Sequence, residues 1–195
     1  GVWTGSLNSN SITNTNLTER QKYLIKTATE TYLNLFGTGS VLKSTYQMTD
    51  DDIIRYMGTL IQNDDGLLTS EMRRVNYRQD GTETTLSYPV SELISYTESF
   101  IGRSVPRNYR DVLYSYDFGT SDTHIARVSA DGEGYHAVSL DEYSTYEGRL
   151  LVKGRYYDYD SGGAVISQGT IVVALRGNEA SVMGMSIDFI TLIRD

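Results

Sequence analysis

Residues 135–176 read YHAVSLDEYSTYEGRLLVKGRYYDYDSGGAVISQGTIVVALR, and this stretch decides the fold. Aromatic and β-branched residues alternate with polar ones, the period of a strand with one face on a core. Glu147-Gly148 and Asp160-Ser161-Gly162-Gly163 interrupt the runs with turn chemistry. Long strands joined by short turns make an antiparallel meander, twisted and curved. Working outward, the same alternation starts near residue 112 and reaches the C-terminus. It predicts strands near 112–118, 122–130, 135–146, 149–160, 164–176 and 180–193, the last two joined at Gly177-Asn178. Gly154 and Gly169 fall inside strands, where Gly marks a bulge or a bend.

Upstream the period changes to that of helices. Thr18 and Gln21 fit a capping box ahead of Leu24, Ala28, Tyr32 and Leu35, with Phe36-Gly37 as a left-handed close. A second helix is predicted from Thr49, with Asp50, Asp51 and Asp52 favouring its positive end and Ile53, Ile54, Met57, Leu60 and Ile61 on its apolar side. A third runs from Ser91 as N-cap through Leu93, Ile94, Thr97, Phe100 and Ile101 to Gly102. Between them Val75 and Tyr77 face Thr84 and Leu86 across Asp80-Gly81, a hairpin signal. The expectation is an α+β fold in which N-terminal amphipathic helices pack on a curved, mostly antiparallel C-terminal sheet. Residues 1–16 read as a polar arm with Trp3 as its apolar anchor, and residues 17–195 as a single domain.

The end of this meander, GTIVVALRGNEASVMGMSIDFI (residues 169–190), resembles the last hairpin of the nuclear-transport-factor-2-like or cystatin-like cone superfamily. The likeness would cover residues 17–193. It implies a cone-like sheet and a family that holds isomerases and dehydratases as well as accessory domains of exported bacterial proteins.

Composition narrows function by exclusion. A chain of 195 residues with a net charge of −8 lacks the basic face a nucleic-acid binder needs. Zero Cys and two His remove thiolate zinc sites and Cys nucleophiles, so no metal or other cofactor is expected. No apolar run reaches the roughly 20 residues of a membrane helix. The phosphate-loop, dinucleotide-binding, zinc-protease and serine-hydrolase motifs are missing. The Ser, Thr and Asn of residues 4–18 resemble the tether that follows a signal peptide or lipid anchor, and Tyr outnumbers Phe 16 to 4. Both point to an exported or surface-anchored bacterial protein, against the plainer alternative of a cytosolic chain without Cys.

Four groups of residues carry candidate chemistry. Tyr143, Tyr146, Tyr157 and Tyr159 crowd the meander, and amphipathic rings on an exposed sheet suit a glycan, a peptide or a surface protein. They serve equally as a roof over the core. His124 and Asp122 share one face of a strand neighbouring that of His136, so a carboxylate could orient an imidazole for acid–base work of the isomerase or hydratase kind; a polar strand end explains them as well. Arg103, Arg107 and Arg110 around Pro106 could fork an anion or pair with local carboxylates. Asp158-x-Asp160-x-Gly162 has the spacing of half a calcium loop and also of a tight turn. The reading favoured by these residues is a non-enzymatic binding or accessory domain, with the cone-fold enzyme as the alternative.

Overall fold

The computed structural model describes residues 11–39, 44–62, 75–78, 84–116, 118–120, 124–126 and 134–195. Trp3, the Asp80-Gly81 turn and Asp122 lie outside them. Among the described residues the chain forms α1 (Glu19–Phe36), a 3-10 turn (Thr45–Gln47), α2 (Asp50–Gln62), β1 (Val75–Arg78), β2 (Thr84–Pro89), α3 (Val90–Ile101) and α4 (Tyr109–Ser115). Strands β3 (Gly119–Thr120), β4 (His124–Ala126), β5 (Tyr135–Tyr146), β6 (Arg149–Tyr159), β7 (Val165–Gly177) and β8 (Met185–Arg194) follow. The result is α+β, with helices on one face of an open antiparallel sheet ordered β5-β6-β7-β8. A smaller sheet is ordered β1-β2-β4-β3.

Local chemistry fixes the helix ends. Thr18 and Gln21 close a reciprocal capping box on α1, and Thr49 does the same for α2 with Asp52 in place of Gln. α3 ends on Gly102 at φ 68°, ψ 23°, the left-handed cap that Gly adopts without strain. Gly37 also has a positive φ, 74°, but with ψ −175°, so it turns the chain out of α1 in an extended rather than a left-handed helical geometry.

Four expectations are corrected. The strand predicted near 112–118 is helix through Ser115; Tyr109 and Leu113 are both buried one turn apart on α4, and a short apolar run cannot announce its own period. Of the second predicted strand, 124–126 form β4 and the rest lies outside the described residues; β4 pairs with β2 and β3 rather than with β5, so His124 and His136 lie in different sheets and not on neighbouring strands. α3 starts at Val90 because Pro89 is the last residue of β2, with no side-chain cap from Ser91. Finally, β8 begins at Met185 rather than residue 180. Asn178 N–H bonds to the Gly184 carbonyl and Asn178 Oδ1 accepts from Ala180 N–H, closing a longer loop that drops Met183 into the core.

One apolar cluster unites the two layers. Leu24, Ile25, Tyr32, Ile53, Met57, Leu93 and Phe100 from the helices meet Leu150, Val152, Ile171, Val173 and Ile187 from the sheet. Strand β5 is an edge, and its outward N–H groups need partners. Helix α1 supplies them one turn apart: Glu30 Oε2 accepts from Val138 N–H at 3.0 Å and Asn34 Oδ1 from His136 N–H at 3.0 Å. Those two polar side chains lock the helix layer to the sheet edge.

Candidate functional site

The geometry of the β5–β6 hairpin places the candidate side chains. Its turn, Glu147-Gly148, has positive φ at both positions, 49° and 78°, the twist that suits a two-residue hairpin. Tyr146 then pairs with Arg149, and the register runs evenly until it slips between Leu140 and Glu142. Asp141 is the extra residue of a β-bulge, opposite Gly154 and Lys153. A side chain on Gly154 would strike the Ser139 carbonyl, so the glycine is what admits the bulge. Beyond it Tyr135 faces Tyr159, His136 faces Asp158 and Ala137 faces Tyr157.

On the face away from the helices, Tyr135 and Tyr159 stack at 4.7 Å between centroids and 17° between planes, and Tyr157 tilts toward Tyr159 at 6.2 Å. Tyr135 is half exposed, Tyr157 and Tyr159 partly so. Register continues this face with Gln168 beside Tyr157 and Thr170 beside Arg155. Arg155 forks onto Asp195 and reaches Thr170 Oγ1 at 3.4 Å. That ion pair raises the Arg155 pKa and lowers that of Asp195, chiefly through the hydrogen bond itself.

The remaining sequence-predicted residues fall elsewhere. Tyr146 is exposed on the same outer face but at the far end of the strand. Tyr143 lies on the helix side, because the bulge inverts the alternation between Leu140 and Glu142. Lys22 Nζ sits 5.4 Å from its ring centroid, and burial, then Glu19 and Asp141, push its phenol pKa up. Arg103 donates to the carbonyls of Thr45 and Met48 and so ties down the 3-10 turn. Arg110 lies over the Tyr109 ring at 5.0 Å, and Arg107 is exposed; the three do not converge on one point through any contact in the described residues. His124 begins β4, and its intended partner Asp122 is outside the described residues.

The structure instead makes a histidine–carboxylate pair from residues that the sequence separates. His136 Nδ1 and Asp158 Oδ1 are 2.5 Å apart, and the other Asp158 oxygen accepts from the Thr38 hydroxyl. The Asp158 side chain is 8% exposed and that of His136 24%. Asp158 thus fixes the ring orientation of His136, as a carboxylate does for a catalytic imidazole. Among the described residues no hydroxyl hydrogen-bonds the other ring nitrogen, so no activated nucleophile is assembled. Asp160 does not join Asp158 in a metal loop; its Oδ1 accepts from Gly162 and Ala164 N–H at 2.9 Å each and builds the β6–β7 turn. Among the described residues no group of three or more metal-ligating side chains comes together. No helix among them is long and apolar enough to cross a membrane. No family model, no curated protein and no solved structure matches the chain.

Proposed function

We propose that this chain is a non-enzymatic binding module, exported or held at a bacterial surface, whose ligand is a neutral glycan laid across the outer face of β5 and β6. The observation that carries the reading is the Tyr135–Tyr159–Tyr157 cluster, three neighbouring rings, one half exposed and two partly exposed, at one end of the sheet face away from the helices. A sugar ring presents C–H bonds on its faces and hydroxyls on its rim. It can therefore lie on the electron-rich face of a tyrosine while phenol, Gln168 and Thr170 groups hydrogen-bond its edge. Charge favours a neutral chain over an acidic one. The protein carries −8 overall; of the outer-face cations of β6, Arg149 and Arg155 are paired with Asp188 and Asp195, and Lys153 lies four residues along the strand from Tyr157.

Affinity electrophoresis through gels cast with neutral and acidic polysaccharides tests this directly. Retardation by at least one neutral polysaccharide is expected, and Tyr159→Ala should weaken it about tenfold or more, the scale of an aromatic hot spot of about 2 kcal/mol. Migration unaffected by every polysaccharide, or retardation indifferent to both Tyr135→Ala and Tyr159→Ala, would overturn the proposal. The His136–Asp158 pair supports a second reading, an isomerase or hydratase-like enzyme. That reading requires proton exchange at a carbon acid that His136→Gln abolishes while the fold survives.

A further inference from the structure

Where the C-terminal end of α1 meets α2 and α4, a cleft of about 220 Å³ opens on the side of the molecule away from the tyrosine cluster's sheet face. We infer that it is a separate binding site for a small carboxylate with a short apolar body. Leu113, fully buried, Phe118, 7% exposed, and Leu35 form the apolar part of its lining, and Asn34, Thr59 and Gln62 the polar part. Phe118 can pack this closely only because residue 58 is Gly; a Cβ there would stand 2.8 Å from Phe118 Cζ and 3.2 Å from Leu113 Cδ2.

One charged group enters this wall. Arg55 lies with its guanidinium carbon 5.1 Å from the Tyr116 ring centroid, and the Tyr116 hydroxyl is in turn fixed on Asp51 Oδ2 at 3.2 Å. A ring face orients a guanidinium without using its N–H donors. Among the described residues no carboxylate comes within ion-pair distance of Arg55, although the chain carries an excess of acid. The planar fork is therefore held at the cleft with donors available, which is the arrangement that takes a carboxylate through two parallel hydrogen bonds. Thr59, one turn along α2, donates its hydroxyl to the Arg55 carbonyl at 2.8 Å and keeps its oxygen as an acceptor. A phosphate dianion fits less well, since among the described residues a single cation and no cradle of backbone N–H groups faces the cleft. The volume is below the roughly 300–1,000 Å³ of drug-sized sites, so the apolar part must be short.

Amide chemical-shift titration of the whole chain with hexanoate, hexanol and inorganic phosphate decides the matter. Hexanoate should give saturable shifts centred on Asn34, Thr59, Leu113 and Phe118, with hexanol at least tenfold weaker and phosphate inert. Arg55→Gln should weaken hexanoate at least tenfold and Arg55→Lys less. Hexanol equal to hexanoate, phosphate binding more tightly, or shifts centred elsewhere would each overturn the inference. Thr59→Leu, which fills the cleft without touching the guanidinium, guards against an Arg55 variant that does not fold. Hexanoate bound as before by Thr59→Leu would also overturn it. Glycan retardation should persist in Arg55→Gln, so the two sites fail or stand separately.

Discussion

Two buried tyrosines in the same helical layer should respond to the same substitution with opposite signs. Tyr32 and Tyr56 are both fully buried, and burial drives both phenol pKa values upward. Their hydroxyls differ. Tyr56 donates to the Ala28 carbonyl at 2.7 Å, whereas the Tyr32 hydroxyl finds no partner among the described residues. A paired hydroxyl contributes about 1 kcal/mol net, and an unpaired one costs about 1–3 kcal/mol of desolvation. Tyr56→Phe should therefore destabilise by about 1 kcal/mol. Tyr32→Phe should stabilise by about 1 kcal/mol or more, because the ring contact to Phe36 at 4.8 Å is kept. Urea unfolding followed by circular dichroism reads both, as shifts in midpoint at constant slope. For a chain of this size each kcal/mol also moves Tm by about 2–4 °C. The reasoning fails if Tyr32→Phe destabilises by about 1 kcal/mol. That outcome would mean the hydroxyl reaches an acceptor after all, and Asp52, whose charge adds to the rise in the Tyr32 pKa, is the group within electrostatic range.

The same two phenols set an alkaline limit. Above about pH 10 the unfolded chain releases protons that Tyr32 and Tyr56 keep in the native state, so stability falls as pH rises, by up to about 1.4 kcal/mol per pH unit for each. The Tyr32→Phe/Tyr56→Phe double variant should flatten that slope between pH 9 and 11 in denaturant midpoints. Asp158→Asn replaces one acceptor by a donor against His136 or Thr38 and should cost about 2 kcal/mol; a midpoint within about 0.3 kcal/mol of wild type would show the pair is not held as described. Gly102→Ala combines a left-handed φ of 68° with a Cβ 2.8 Å from Ser186 Oγ. A loss of about 1–2 kcal/mol is expected, and thermal unfolding unchanged within error would contradict the cap.

The layers were legible in the sequence because each rests on a periodicity that local chemistry reinforces. The capping residues Thr18, Thr49 and Gly102 act within one turn of their helices, so spacing alone exposes them. The site was legible in part: Tyr157 and Tyr159 stand out in the sequence, but their neighbour Tyr135 and the His136–Asp158 pair do not, and the reason is one residue. Counting outward from Tyr146 and Arg149 without a slip sets His136 opposite Tyr159. The bulge at Asp141 moves it opposite Asp158, and neither Gly154 nor the alternation says on which strand the extra residue falls. That slip creates the His136–Asp158 pair and brings Tyr135 against Tyr159. Residues 112–118 misled for a different reason. Val112, Leu113, Tyr114 and Tyr116 satisfy a strand pattern, and only the packing of Leu113 against α2 and Phe118 selects the helix.

The bulge also explains why one end of the hairpin carries both a rigid polar pair and an exposed aromatic cluster. Residues of a strand alternate between faces, so a strand end pinned on its inner side is held on its outer side as well. Glu30 and Asn34 fix the backbone N–H groups of Val138 and His136, and Thr38 reaches Asp158 just past the end of α1. Tyr135, Tyr157 and Tyr159 alternate with these anchored residues along β5 and β6. Their stacking is thus set by a backbone that α1 holds from the opposite face, not by a mobile loop. A ring held in place before contact loses little conformational freedom when a ligand arrives. If the tyrosine surface binds as proposed, the polar contacts of α1 contribute to recognition on a surface they never touch.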